Sequence, residues 1–133
     1  MKIIINGDYM EIKEINALAL AYLGDSVYEI YIRKYLINKG ISKVKELQEE
    51  AIKYVSANGQ AKYLKELIER NYFNEEELNI INRGRNHKGS RHPKGCDIIT
   101  YKYATGLETL IGHLYLENKF DRINDIMKEI TGD

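Results

Sequence analysis

The chain has 133 residues, 44% of them apolar, which fits one globular domain spanning 1–133 with one core and excludes a disordered chain. Twenty basic and twenty acidic side chains cancel, so net charge names no partner. A single cysteine, Cys96, excludes an intramolecular disulfide framework and a cysteine-built zinc site. The start, Met1 to Asn6, is too short for a signal peptide or a membrane span, so a cytoplasmic protein with no membrane contact is expected.

In chain order, Lys2 to Asn6 suits a short strand or ordered arm, and Asn6-Gly7-Asp8 reads as a turn. From Met10 to Leu23 the residues Ile12, Ile15, Leu18, Ala19 and Tyr22 fall at helical spacing. Gly24 interrupts, and Asp25 has the chemistry of an N-cap for a second helix to about Asn38. Gly40 closes that helix and Ser42 can cap a third, which carries Val44, Leu47, Ala51 and Tyr54 or Val55. Gly59 interrupts again before Ala61, Leu64, Leu67 and Ile68. Asn74 with Glu77 resembles a capping box for a helix through Leu78, Ile81 and Asn82. Gly84 to Gly95, which holds the one proline, is expected as a loop. A long helix follows from about Asp97 to Asn118, and a last amphipathic helix uses Ile123, Ile126, Met127 and Ile130. The fold class is all-α, an irregular helical array around one core.

Charge is distributed unevenly. Arg83, Arg85, Lys88, Arg91 and Lys94 lie between Arg83 and Gly95 with no acid among them. This stretch is either a solvated basic loop or a surface for phosphates.

Two carboxylates stand in apolar surroundings, Asp25 after Leu23-Gly24 and Glu108 after Gly106-Leu107. Helices this apolar should be largely buried, and a buried acid needs a partner. Asp25 reads as an N-cap or as a cation ligand. Glu108 reads as an acid bonded to a tyrosine or a basic residue, or as a cation ligand. Thr105, one turn before Glu108, can orient a water or bond its own helix backbone. Gly106 and Gly112 interrupt a strong helical pattern at about 1 kcal/mol each, which implies close approach of a neighbouring helix or a ligand.

Leu18-Ala19-Leu20-Ala21-Tyr22-Leu23-Gly24-Asp25-Ser26-Val27-Tyr28-Glu29 resembles the signature helix of ribonuclease III catalytic domains. Ala104-Thr105-Gly106-Leu107-Glu108-Thr109-Leu110-Ile111-Gly112 resembles that family's second catalytic helix, and Asn82-Arg83-Gly84-Arg85-Asn86 resembles an element of its Mini-III branch. The three occur in the family's order and cover nearly the whole chain. The resemblance implies the helical array of that catalytic domain and cleavage of double-stranded RNA to 5′-phosphate and 3′-hydroxyl ends. It implies Asp25 and Glu108 as metal-binding catalytic residues, magnesium as cofactor and manganese as a substitute. Two further family acids fall on Ala21 and Thr105, so waters or phosphate oxygens would complete the coordination, as in the Mini-III branch.

That branch resembles the catalytic domain without a double-stranded-RNA-binding domain. RNA contacts are therefore expected from Asn82, Arg83, Arg85, Asn86, Lys88, Arg91 and Lys94. The resemblance further implies a precursor of large-subunit ribosomal RNA as substrate, and a C2 homodimer with Tyr22 inserted into the partner. Tyr22 reads equally as an ordinary core tyrosine. The rivals to this reading are a structured-RNA-binding module that does not cut and a helical protein-interaction domain.

Overall fold

The computed structural model describes residues 1–87 and 95–133. Lys88, Arg91 and Lys94 lie outside the described residues. The N-terminus is a hairpin, with β1 (Lys2–Ile5) antiparallel to β2 (Asp8–Glu11) and Lys2 opposite Glu11. The turn is Asn6-Gly7, with φ of 51° and 82°, the left-handed pair that matches the twist of flanking strands. Strand pairing therefore claims Met10, which the helical spacing had placed in a helix. A single 3-10 turn (Ile12–Glu14) buries Ile12 before the first α-helix begins.

Helix α1 (Ala17–Asn38) is capped by Asn16, whose side chain accepts from the Leu18 N–H. It runs unbroken through Gly24 and Asp25, so Asp25 is not an N-cap. A residue without a Cβ breaks a helix only when nothing rewards its place there, and here close packing does. Gly40 ends the helix as expected, at φ 97°.

Helix α2 (Val44–Val55) begins after Lys43 without a side-chain cap, so Ser42 does not serve as one. The next break falls at Ser56 rather than Gly59. The Ser56 hydroxyl accepts from the Gly59 N–H at 3.1 Å and starts α3 (Ala57–Glu69). Helix α4 (Glu75–Arg85) opens on the reciprocal Asn74–Glu77 capping box. It continues past Asn82 and takes Gly84 and Arg85 out of the expected loop. Gly84 is buried, and a Cβ on it would stand 2.3 Å from the Thr109 hydroxyl. Contact with the next helix thus holds the last turn of α4.

Asp97 caps α5 (Ile98–Leu116), accepting from the Thr100 N–H at 2.8 Å. Helix α6 (Phe120–Thr131) buries Ile123, Ile126, Met127 and Ile130, the expected stripe. Helix α5 is the central post, buried from Ala104 to Leu114 apart from a half-buried Glu108, and α1, α3, α4 and α6 pack around it. Arg122 of α6 grips the Glu77 carboxylate through Nε at 2.7 Å and Nη2 at 2.8 Å, tying α6 to the start of α4. Among the described residues no helix is long and apolar enough to cross a membrane.

Candidate active site

The site follows from how closely α1 and α5 cross. A Cβ on Gly24 would lie 1.8 Å from the Glu108 carbonyl oxygen, and one on Gly112 would lie 2.0 Å from that of Leu20. The two backbones therefore touch, and only glycine fits at either point. Asp25 follows Gly24 in the chain, and Glu108 lies one turn before Gly112. The crossing brings residues from distant parts of the sequence side by side.

The Asp25 and Glu108 carboxyls stand within hydrogen-bonding reach of each other. Asp25 is exposed, contrary to the burial its apolar neighbours imply, because it occupies the solvent side of α1. Glu108 is half-buried. Its burial, the hydrogen bond with Asp25 and the Asp25 charge push its carboxyl up to about 9, and the Gln60 amide works in the other direction. Among the described residues the groups that act on it are thus a second acid and an amide, and the nearby Tyr28 hydroxyl donates to the Tyr54 carbonyl instead.

A cleft of about 380 Å³ opens over the pair. It is lined by Ala21, Tyr22 and Asp25 of α1 and by Tyr101, Thr105 and Glu108 of α5. Ala21 and Thr105, where the wider family's further acids fall, therefore flank the carboxyl pair. Among the described residues no group of three or more His, Cys, Asp or Glu side chains forms a metal-sized cluster. Thr105 is 4% exposed and its hydroxyl donates to the Tyr101 carbonyl at 3.0 Å, the backbone bond that competes with a water-orienting role. Tyr22 is 82% exposed at the lip of the cleft and is not a core residue.

Among the described residues no basic side chain lines this cleft. Asn82, Arg83, Arg85 and Asn86 occupy the end of α4, where it packs on α5 at Gly106. Asn82 and Asn86 are exposed. Arg83 is half-buried and donates to the Ile15 carbonyl, so it also fastens the segment before α1. The Arg85 guanidinium lies 4.0 Å from the Tyr103 ring centroid, and its Nη1 donates to Asn82 Oδ1 at 3.3 Å. Lys65 of α3 reaches the same ring at 4.7 Å and adds a cation that the motif reading missed.

Gln60 was also missed. It belongs to no quoted motif, yet it sits at i with Leu64 at i+4 and Leu67 at i+7, on the buried stripe of α3. An amide on that stripe was the available signal.

The Ribonuclease III domain family matches residues 18–119. Curated relatives named Mini-ribonuclease 3 include one from Desulfitobacterium hafniense, 48% identical over 111 residues, covering 84% of this chain and 69% of that protein. One from Clostridium tetani is 44% identical, covering 89% of this chain and 78% of that protein. A crystal structure of a Fusobacterium nucleatum protein superposes with a TM-score of 0.80 at 34% identity, covering 91% of this chain and 95% of that one. The chain belongs to the ribonuclease III family, in its Mini-III branch.

Proposed function

We propose that Asp25 and Glu108 together hold a divalent cation, magnesium with manganese able to replace it, and that a C2 homodimer uses two such sites to cut both strands of a ribosomal RNA precursor. As a member of this family, the chain is a double-strand-specific endoribonuclease. The observation that supports the site most is the carboxyl pair itself. Two acids held together, one forced well above the ordinary carboxyl range, form a cluster of oxygen donors that a hard cation satisfies. The donor set fits magnesium, which keeps several waters and binds through one or two carboxylates plus phosphate. When bound, the cation lowers the pKa of a water nucleophile and neutralises charge on the scissile phosphate.

The chain's own residues do the rest. Exposed Asp25 faces solvent, from which a duplex backbone arrives, while Glu108 anchors the inner side of the cleft. Thr105 keeps acceptor lone pairs to orient a water there. Arg85, with the exposed amides Asn82 and Asn86, binds phosphates and 2′-hydroxyls beside the cleft, since A-form RNA is read by shape across its shallow minor groove. Arg83 adds charge to that surface, and Lys88, Arg91 and Lys94, outside the described residues, are proposed as RNA contacts on the family resemblance alone. Tyr22 enters the partner subunit, and the two-fold axis sets one site against each antiparallel strand. The large-subunit ribosomal precursor and the cytoplasmic setting rest on the resemblance to the Mini-III branch.

The test is cleavage of a long RNA duplex with magnesium, with ends mapped on both strands. The parent chain should leave 5′-phosphates. Asp25→Asn and Glu108→Gln should each abolish cutting while keeping a cooperative melt. Arg85→Ala should raise the RNA concentration needed and flatten the salt dependence by about one phosphate contact. Duplex bound but uncut across magnesium, manganese and low salt would replace this reading with a binding module. No duplex bound at low salt would leave a protein-interaction domain.

A further inference from the structure

Glu108 has one neighbour whose chemistry the two-carboxylate site leaves unused. Gln60 lies near the start of α3 and is 2% exposed, and its amide stands close enough to the Glu108 carboxyl to pull that group's pKa down. Yet its Nε2 closes no hydrogen bond of full geometry among the described residues. A buried amide N–H without an acceptor is destabilising and rare, and a role in catalysis is one of the reasons such a group is kept.

The local backbone keeps Gln60 in place. Ser56 caps α3, and a Cβ on Gly59 would stand 2.2 Å from the Lys53 carbonyl oxygen, so the start of α3 is pressed against the end of α2. Buried Ala61 and Leu64 follow on the same helix. The amide is therefore held inside the packing, and among the described residues Glu108 is the charged group it acts on.

The geometry points to Gln60 as a positioning residue for the cation site, donating from Nε2 to a Glu108 carboxylate oxygen and holding that carboxylate turned toward Asp25. An ionised carboxylate offers about four acceptor positions, so one bond to Gln60 leaves the others for a cation and its waters. A hydrogen bond to a charged acceptor is shorter and stronger than a neutral one, and it fixes the rotation of the carboxylate plane. Groups that orient metal ligands in this way typically govern affinity or activity by about 10- to 100-fold. The inference rests on the reading of Asp25 and Glu108 as cation ligands and adds a third helix, α3, to the site.

Gln60→Met tests it, since methionine is linear, of similar size and lacks the donor. Manganese binding is measured without RNA by the electron paramagnetic resonance of the free ion, beside cleavage kinetics and a melt in chelator. The variant should melt no lower than the parent, bind manganese about ten-fold more weakly and lose kcat with little change in KM for RNA. In the 15N-labelled parent, the Gln60 side-chain amide resonances should move when magnesium is added. Unchanged manganese affinity in the variant, or amide resonances unmoved by magnesium, would overturn the inference. The second result decides even if the variant does not fold. Glu108→Gln runs alongside. If it abolishes manganese binding and cleavage while Gln60→Met keeps both, only the role of Gln60 fails. If Glu108→Gln keeps both, the carboxylate site itself fails.

Discussion

Replacing Glu108 with glutamine should stabilise the metal-free protein at neutral pH, and the gain should vanish in acid. Burial and Asp25 push this carboxyl from its ordinary 4.5 up to about 9. The folded chain thus holds that proton more tightly than the unfolded chain does. Folded-state stability therefore falls as pH climbs from about 4.5 toward 9. At pH 7 about 2.5 pH units of that window have been crossed, a loss of about 3 kcal/mol. Glutamine keeps the shape of the side chain and carries no charge at any pH. The variant should gain about 2–3 kcal/mol at pH 7, roughly 6–9 °C in melting temperature for a chain of this size, and almost nothing at pH 4.5. Thermal melts in chelator at three pH values between 4.5 and 7.5 would measure this. Added magnesium should raise the melting temperature of the parent and leave that of the variant unmoved. A variant that melts at or below the parent at every pH would show that folding does not force a proton onto Glu108, and the reasoning would fail.

Two further outcomes concern the framework around the site. Gly112→Ala should lower stability by about 3 kcal/mol in urea unfolding, because its Cβ would meet the Leu20 carbonyl 2.0 Å away and force α1 from α5; a change below about 0.5 kcal/mol would mean the crossing is looser than described. Arg122→Ala should cost about 3 kcal/mol by leaving the Glu77 carboxylate buried and unpaired. Burial pushes Glu77 up, but the bonds from Arg122 and the Asn74 N–H more than reverse this and hold it below the ordinary range. The stability that paired Glu77 contributes to the parent should therefore be complete above about pH 4.5 and be lost as pH falls through the depressed Glu77 value, which acid titration of both proteins would follow.

Features legible in the sequence were those decided locally. The Asn74–Glu77 box and the stripe of α6 involve residues three or four apart, and their chemistry is complete within one or two turns. Gly24 was misread for the opposite reason. A glycine that ends a helix and a glycine that admits another helix look alike until the second helix is in place. The same ambiguity moved the break at Ser56 to Gly59, and it concealed that Gly84 belongs to α4. Met10 suits a helical stripe, but pairing with Ile3 across the Asn6-Gly7 turn decides its conformation. The residues of the carboxyl pair were legible through motif resemblance, whereas their proximity depends on the α1–α5 crossing. Gln60 needed that crossing and the seating of α3 as well, so only its place on a buried stripe hinted at it.

The contact at Gly24 and Gly112 has a consequence for how this site tolerates change. Main chain rests on main chain at that point, so the gap between the two acids is gauged by peptide groups rather than by the bulk of any side chain. Residues elsewhere in the core can be exchanged for others of different size, and the helices can settle by small rotations, while the carboxyl-bearing turns stay hinged at the same place. A variant with a substantially rebuilt interior should therefore keep the spacing between Asp25 and Glu108 as long as those two positions remain bare.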